Sequence, residues 1–129
     1  MARVCCLAAV DPKDIPLLVA ALSGAGEPSL TIVARFDVAA LRKIAPDVLV
    51  VDVDGLEVDR LEMLRQVRFV LPECIIVVYT EDTKSSWGRA CHLAGANCLL
   101  SKAARESQLI AGLRRAIRTG CFTDPRFAA

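Results

Sequence analysis

The chain has 129 residues, 54% of them hydrophobic, a mean hydropathy of +0.44 and a net charge of +1 from 16 basic and 15 acidic side chains. That length suits one domain with a real core, and the near-neutral balance argues against a nucleic acid or a membrane surface as partner of this domain. No apolar stretch approaches the length of a membrane span, and the run after Arg3 meets Asp11 and Pro12 too soon for a secretory signal, so a cytoplasmic location is expected.

The elements alternate regularly between strand and helix. Val4 to Val10 is a strand candidate, and Lys13 to Leu22 a helix with Pro16 in its tolerant first turn. A turn cluster at Ser23–Pro28 leads to a second strand, Leu30 to Arg35. Asp37 can cap a short helix to about Ile44, which Pro46 stops. Asp47 to Asp52 is the third strand. Asp59 to Val70 carries Leu61, Leu64, Val67, Phe69 and Val70 at roughly helical spacing and ends at Pro72. Ile75 to Thr80 is the fourth strand; Thr83 or Ser85 starts a helix through Ala94, closed by Gly95. Asn97 to Leu100 is a short fifth strand. Glu106 to Arg118 is amphipathic, with Leu109, Ile110, Leu113 and Ile117 on one face and Arg114, Arg115 and Arg118 on a solvated one.

Such alternation in one compact chain predicts an α/β fold: a doubly wound, flavodoxin-like parallel sheet of five strands in the order 2-1-3-4-5, with five helices. The domain is expected over residues 1–119, with 120–129 a C-terminal tail or the start of a linker. The high hydrophobic content fits strands buried on both faces. Cys5, Cys6, Cys74 and Cys98 fall in or beside strands, Cys91 in a helix and Cys121 in the tail. No cysteine spacing suits zinc, so core thiols in a reducing compartment are expected.

Chemistry gathers at strand ends. Asp52 closes Pro46-Asp47-Val48-Leu49-Val50-Val51-Asp52, Thr80 closes Cys74-Ile75-Ile76-Val77-Val78-Tyr79-Thr80, and Lys102 follows Asn97-Cys98-Leu99-Leu100-Ser101. Open α/β sheets bind ligands at the carboxyl ends of their strands. A carboxylate, a hydroxyl and an ammonium there can handle a phosphoryl group: the hydroxyl and the ammonium can each contact a phosphoryl oxygen.

These segments resemble the receiver domain of bacterial two-component response regulators, the CheY-like fold, over nearly the whole chain. "PDVLVVD" is similar to the segment carrying the phospho-accepting aspartate, "IIVVYT" to that of the active-site hydroxyl and "AGANCLLSKAA" to that of the active-site lysine. The stretch "SKAARESQLIAGLRRAIRTG" is most similar to the NarL/LuxR-type subfamily, whose receivers precede a helix-turn-helix DNA-binding domain absent from this chain. The resemblance implies a phosphorelay signalling protein rather than an enzyme. Asp52 would be the phospho-acceptor, Thr80 the switch hydroxyl and Lys102 the phosphate-sensing cation. The implied metal is Mg²⁺, with Asp11, Asp52 and the Asp54 backbone as ligands. The implied partners are a histidine kinase or another signalling protein, and a second copy of the chain. The implied interaction surface is formed by the helix ending at Ala94, the strand ending at Leu100 and the helix starting at Glu106.

Departures from the family pattern point to a pseudo-receiver. Ala9 and Val10 stand where receivers carry an acidic pair, with Asp11 just beyond; a one-residue shift makes Asp11 half of that pair, never both. Mg²⁺ requires an oxygen-rich shell, so weakened or lost Mg²⁺-dependent phosphorylation is expected. Gly55-Leu56 replaces a methionine–proline, and Leu99 stands where an aromatic switch residue often sits. A competing resemblance is to the DxDG motif of haloacid-dehalogenase-type phosphatases at Asp52-Val53-Asp54-Gly55, with Asp52 as nucleophile and Asp54 as general acid. Against it, that motif normally lies on the first strand, no late acidic pair follows Lys102, and there is no room for a cap domain. His92, the sole histidine, is expected on a partly exposed helix position, and Trp87 half-buried against the sheet.

Overall fold

The computed structural model describes residues 4–8, 16, 30–33, 37–54 and 59–128, the first two strands by their backbone alone. Six strands form one parallel sheet: β1 (Val4–Ala8), β2 (Leu30–Val33), β3 (Val48–Asp52), β4 (Ile75–Thr80), β5 (Cys98–Ser101) and β6 (Phe122–Thr123), in the order β2-β1-β3-β4-β5-β6. Four helices are described: α1 (Val38–Ile44), α2 (Arg60–Val70), α3 (Ser85–Ala94) and α4 (Glu106–Thr119). The helix expected over Lys13 to Leu22 lies, apart from Pro16, outside the described residues.

The doubly wound order is as expected through the fifth strand, and the chain then adds a sixth. Phe122 and Thr123 pair with Cys98 and Leu99, and the Asp124 N–H donates to the Leu99 carbonyl at 3.0 Å. The expected tail is therefore built into the sheet. A 3₁₀ turn at Pro125–Ala128 follows, and Phe127 is buried.

Strand sequences alternate between two cores. Leu49, Val51, Ile76, Val78 and Leu99 face one layer with Leu41 of α1, Met63, Leu64 and Val67 of α2, Cys91 of α3 and Phe127. Val48, Val50, Val77, Tyr79, Cys98 and Leu100 face the other with Leu109, Leu113 and Ala116 of α4. Every residue of β3 and β5 is buried, as both-face covering demands. Burial pushes the Cys91 thiol up to about 12 and the Cys98 thiol up to about 11, in keeping with inert core thiols.

Side-chain caps explain the starts of α1 and α2. The Asp37 carboxylate accepts from the Ala39 and Ala40 N–H groups at 3.0 and 3.2 Å, and the Asp59 carboxylate from Leu61 and Glu62, both at 3.1 Å. One apolar assignment fails: Phe69 is 83% exposed. The buried positions of α2 are Met63, Leu64 and Val67, and a residue two beyond Val67 is turned by about 200° to the opposite side of the helix.

Candidate functional site

Register brings the polar strand ends to one rim. Asp52 lies opposite Ala8 on one side and Tyr79 on the other, and Thr80 lies opposite Ser101. Lys102 follows β5 directly, its N–H donating to the Thr80 carbonyl at 2.9 Å. The three residues expected to converge do so. Asp52 and Thr80 are almost wholly buried, while the Lys102 side chain keeps 19% of its surface open.

The contacts differ from a simple triad. Lys102 Nζ lies 2.9 Å from Asp52 Oδ2 and 3.1 Å from Asp54 Oδ2. Asp54 also receives the Thr80 hydroxyl at Oδ1, 2.7 Å, and the Glu81 N–H at Oδ2, 2.8 Å. Its own N–H donates to Asp52 Oδ1 at 3.1 Å, which folds the chain after β3 back over the rim. The Thr80 oxygen in turn accepts from the Asp82 N–H at 3.2 Å. Ser101 Oγ accepts from the Ala103 N–H at 3.0 Å, shaping the turn that carries Lys102.

The receiver resemblance implied only a backbone role for Asp54, the competing phosphatase motif made it a general acid, and Glu81 was passed over. The Asp54 side chain is instead the hub of the cluster. The signal lay in the spacing: a short acidic residue two positions beyond a strand-end aspartate can turn back onto the rim.

Burial raises the Asp52 carboxyl above its ordinary value of 3.8, against the lowering effect of the Lys102 hydrogen bond and charge. Burial would lower Lys102, but its bonds and charge contacts with Asp52 and Asp54 outweigh this and hold its ammonium well above the usual lysine range. The ammonium is a fixed cation between two carboxylates. That leaves one net negative charge among Asp52, Asp54 and Lys102.

The donor set can be tested against Mg²⁺. Asp52 and Asp54 both turn an oxygen onto Lys102, and their other oxygens accept from the Asp54 N–H and the Thr80 hydroxyl. Among the described residues no group of three or more acidic, histidine or cysteine side chains is arranged to hold a metal. Asp11, with Ala9 and Val10, lies outside the described residues. As arranged, the described donors do not fit the oxygen-rich shell that Mg²⁺ needs.

Other residues singled out from the sequence sit away from this rim. His92 is exposed, its Nδ1 2.8 Å from the Ala96 carbonyl oxygen. Trp87 is half-buried, with the Arg60 guanidinium 4.2 Å above its ring. Arg114, Arg115 and Arg118 are exposed on α4. No helix is long and apolar enough to cross a membrane among the described residues.

A scan of protein-family models and a search of curated proteins both give no match. Solved structures do match. The isolated receiver domain of RcsB from Salmonella enterica serovar Typhimurium superposes with a TM-score of 0.81 at 15% identity, over 98% of this chain and 96% of that one. DrrB of Thermotoga maritima, an OmpR/PhoB homolog, gives 0.78 at 16% identity; 94% of this chain aligns with 54% of DrrB, so the chain spans about half the length of that relative. A chain named as a pilus assembly protein, CpaE, from Burkholderia thailandensis gives 0.74 at 18% identity over 92% of this chain and all of that one. At these identities the likeness concerns architecture: the chain has the α/β fold of response regulator receiver domains.

Proposed function

We propose that this chain is a receiver-like signalling domain of the pseudo-receiver kind. It works through a protein–protein surface, in a two-component pathway, without routine phosphorylation of Asp52. The observation that carries this is the rim cluster, where Asp52, Thr80 and Lys102 stand together as a phosphoryl-handling site requires, yet Lys102 and Thr80 are engaged by Asp54. A net negative cluster repels an incoming phosphodonor, and the described donors offer Mg²⁺ no open shell. The NarL/LuxR-type assignment rests on the sequence around Lys102 and α4, and a transcriptional output would require a DNA-binding domain outside this chain.

The surface proposed for partners comprises α3, β5 and α4. A histidine kinase, another signalling protein or a second copy of the chain are the partners the reading implies. Residues 122–128 add to this surface, since β6 pairs with β5 and Phe127 packs beneath α3. The phosphatase reading gains nothing from the geometry: Asp54, its general acid, is committed to the Thr80 hydroxyl, the Glu81 N–H and Lys102.

The test is intact mass after incubation with acetyl phosphate and Mg²⁺. In a phosphorylatable domain an Asp52 oxygen attacks phosphorus, the bond to the acetate oxygen breaks and acetate leaves. The wild-type protein is expected to show no added phosphoryl mass. A gain that disappears in Asp52→Asn would establish a conventional switch and overturn the pseudo-receiver reading.

A further inference from the structure

Three donors of different kinds converge on the Asp54 carboxylate: the Thr80 hydroxyl at 2.7 Å, the Glu81 backbone N–H at 2.8 Å and the Lys102 ammonium at 3.1 Å. The first ends β4, the second follows it and the third follows β5, so two strand ends and the turn after a third meet at one point. A hydroxyl, an amide and an ammonium aimed at one spot are what a bound oxyanion such as phosphate takes. The spot adjoins Asp52, because both carboxylates share Lys102. An anion seated beside Asp52 would need these same groups.

We propose that the Asp54 carboxylate is a resident, internal ligand of an oxyanion site formed by Thr80, the Glu81 N–H and Lys102, standing in for a phosphoryl group and holding those residues in their anion-bound arrangement. This rests on the reading of the rim as a signalling site and deepens it. The domain is then fixed in one state by its own sequence. Removing the carboxylate opens a site for a free tetrahedral anion. It also takes the local charge of Asp52, Asp54 and Lys102 from minus one to zero. The chain geometry makes this occupancy cheap: Asp54 is tethered two residues from Asp52 and oriented by its own N–H bond to Asp52 Oδ1, so its local concentration far exceeds that of a free anion.

The experiment titrates inorganic phosphate, without Mg²⁺ and at constant ionic strength, into wild-type protein, Asp54→Ala and Asp54→Asn. It follows the backbone amide signals of Thr80 and Glu81 and the Lys102 ammonium by NMR. Wild type is expected to stay unmoved. Asp54→Ala is expected to bind phosphate at least roughly tenfold more tightly than wild type, its Glu81 and Lys102 signals moving toward their wild-type positions as the site fills. The double variant Asp54→Ala/Lys102→Ala should lose the response. Asp54→Asn keeps the shape and loses the charge, and should respond more than wild type; it decides the matter if the alanine variant does not fold. Equal responses in wild type and the variants, or no response in any of them, would overturn the proposal. The outcome is independent of the acetyl phosphate result: covalent labelling of wild-type Asp52 would end the pseudo-receiver reading, whereas this titration reads only who occupies the anion site.

Discussion

Asp52 is a buried carboxylate whose nearest cation is shared. Its raised pKa means that, between the ordinary value of 3.8 and the folded one, the folded chain holds more protons than the unfolded chain. Stability contributed by this residue is therefore full below 3.8 and falls as pH rises through its folded value. Asp52→Asn removes the titration. Urea unfolding over a pH series starting at the ordinary value of 3.8 should show wild type losing stability relative to Asp52→Asn until pH passes the folded value, and running parallel beyond it. A constant difference would mean that Lys102 fully offsets the burial. Lys102 acts at the other end: its raised pKa gives a contribution that is full below 10.5 and lost as pH rises through its folded value. The acid, hydroxyl and ammonium were legible because each ends or follows an apolar strand. The role of the Asp54 side chain was not, because it depends on how the chain turns after β3, and strand periodicity carries no information about that turn. The acidic-pair positions Ala9 and Val10, and Asp11 beside them, lie outside the described residues, so the sequence remains the basis for that departure.

Elements are tied at their ends by one side chain that the sequence did not advertise. Arg68, in the last turn of α2, donates from Nε and Nη2 to the Gly95 carbonyl at 3.2 and 2.7 Å, and from Nη1 to the Cys74 carbonyl at 2.7 Å. Further bonds reach Leu71, Pro72 and the Asn97 side chain, which itself accepts from the Ile76 N–H at 2.9 Å. One planar fork thus closes the ends of α2 and α3 onto the starts of β4 and β5. A lysine offers a single point charge in place of five fixed donors. Arg68→Lys is expected to cost at least about 2 kcal/mol in a denaturant titration, since bonds to charged groups contribute about 1.5–3 kcal/mol each and more than one would be lost. A cost near zero would show that solvent replaces the lost bonds. Such a carbonyl-gathering arginine is invisible to periodicity, which sees only a polar residue near a helix end. Asp37 and Asp59 were easier to see or bracket, since a short acid just before an apolar helical run is a start signal with a local mechanism. Phe69 misled because a cluster of apolar residues was taken as one face although its angular position is wrong for the core.

At the scale of the molecule, the C-terminal segment decides where the domain ends. Phe122 and Phe127 press against two glycines inside helices: a Cβ on Gly112 would come within 2.7 Å of Phe122, and one on Gly88 within 3.0 Å of Phe127 and Leu99. A mid-helix glycine costs roughly 1 kcal/mol against alanine, so two of them at the points where these rings approach mark the segment as part of the packing. Composition gave no such hint, because Thr-Gly-Cys-Phe-Thr-Asp-Pro carries turn residues and only one apolar aromatic before the proline. Phe127→Ala should destabilise the fold by about 3 kcal/mol, the usual cost of emptying a buried phenylalanine site, read from the urea midpoint at unchanged slope. Removing residues 122–129 should cost at least as much. It should also bare the edge of β5, whose unpaired backbone groups invite pairing with a second chain, so sedimentation should report more self-association than the full chain shows. If the shortened protein kept full stability and associated no more than the full chain, β6 would be an ornament on a five-stranded domain. If it loosened and self-associated, the same residues would both complete the core and set which edge of the sheet a partner can reach.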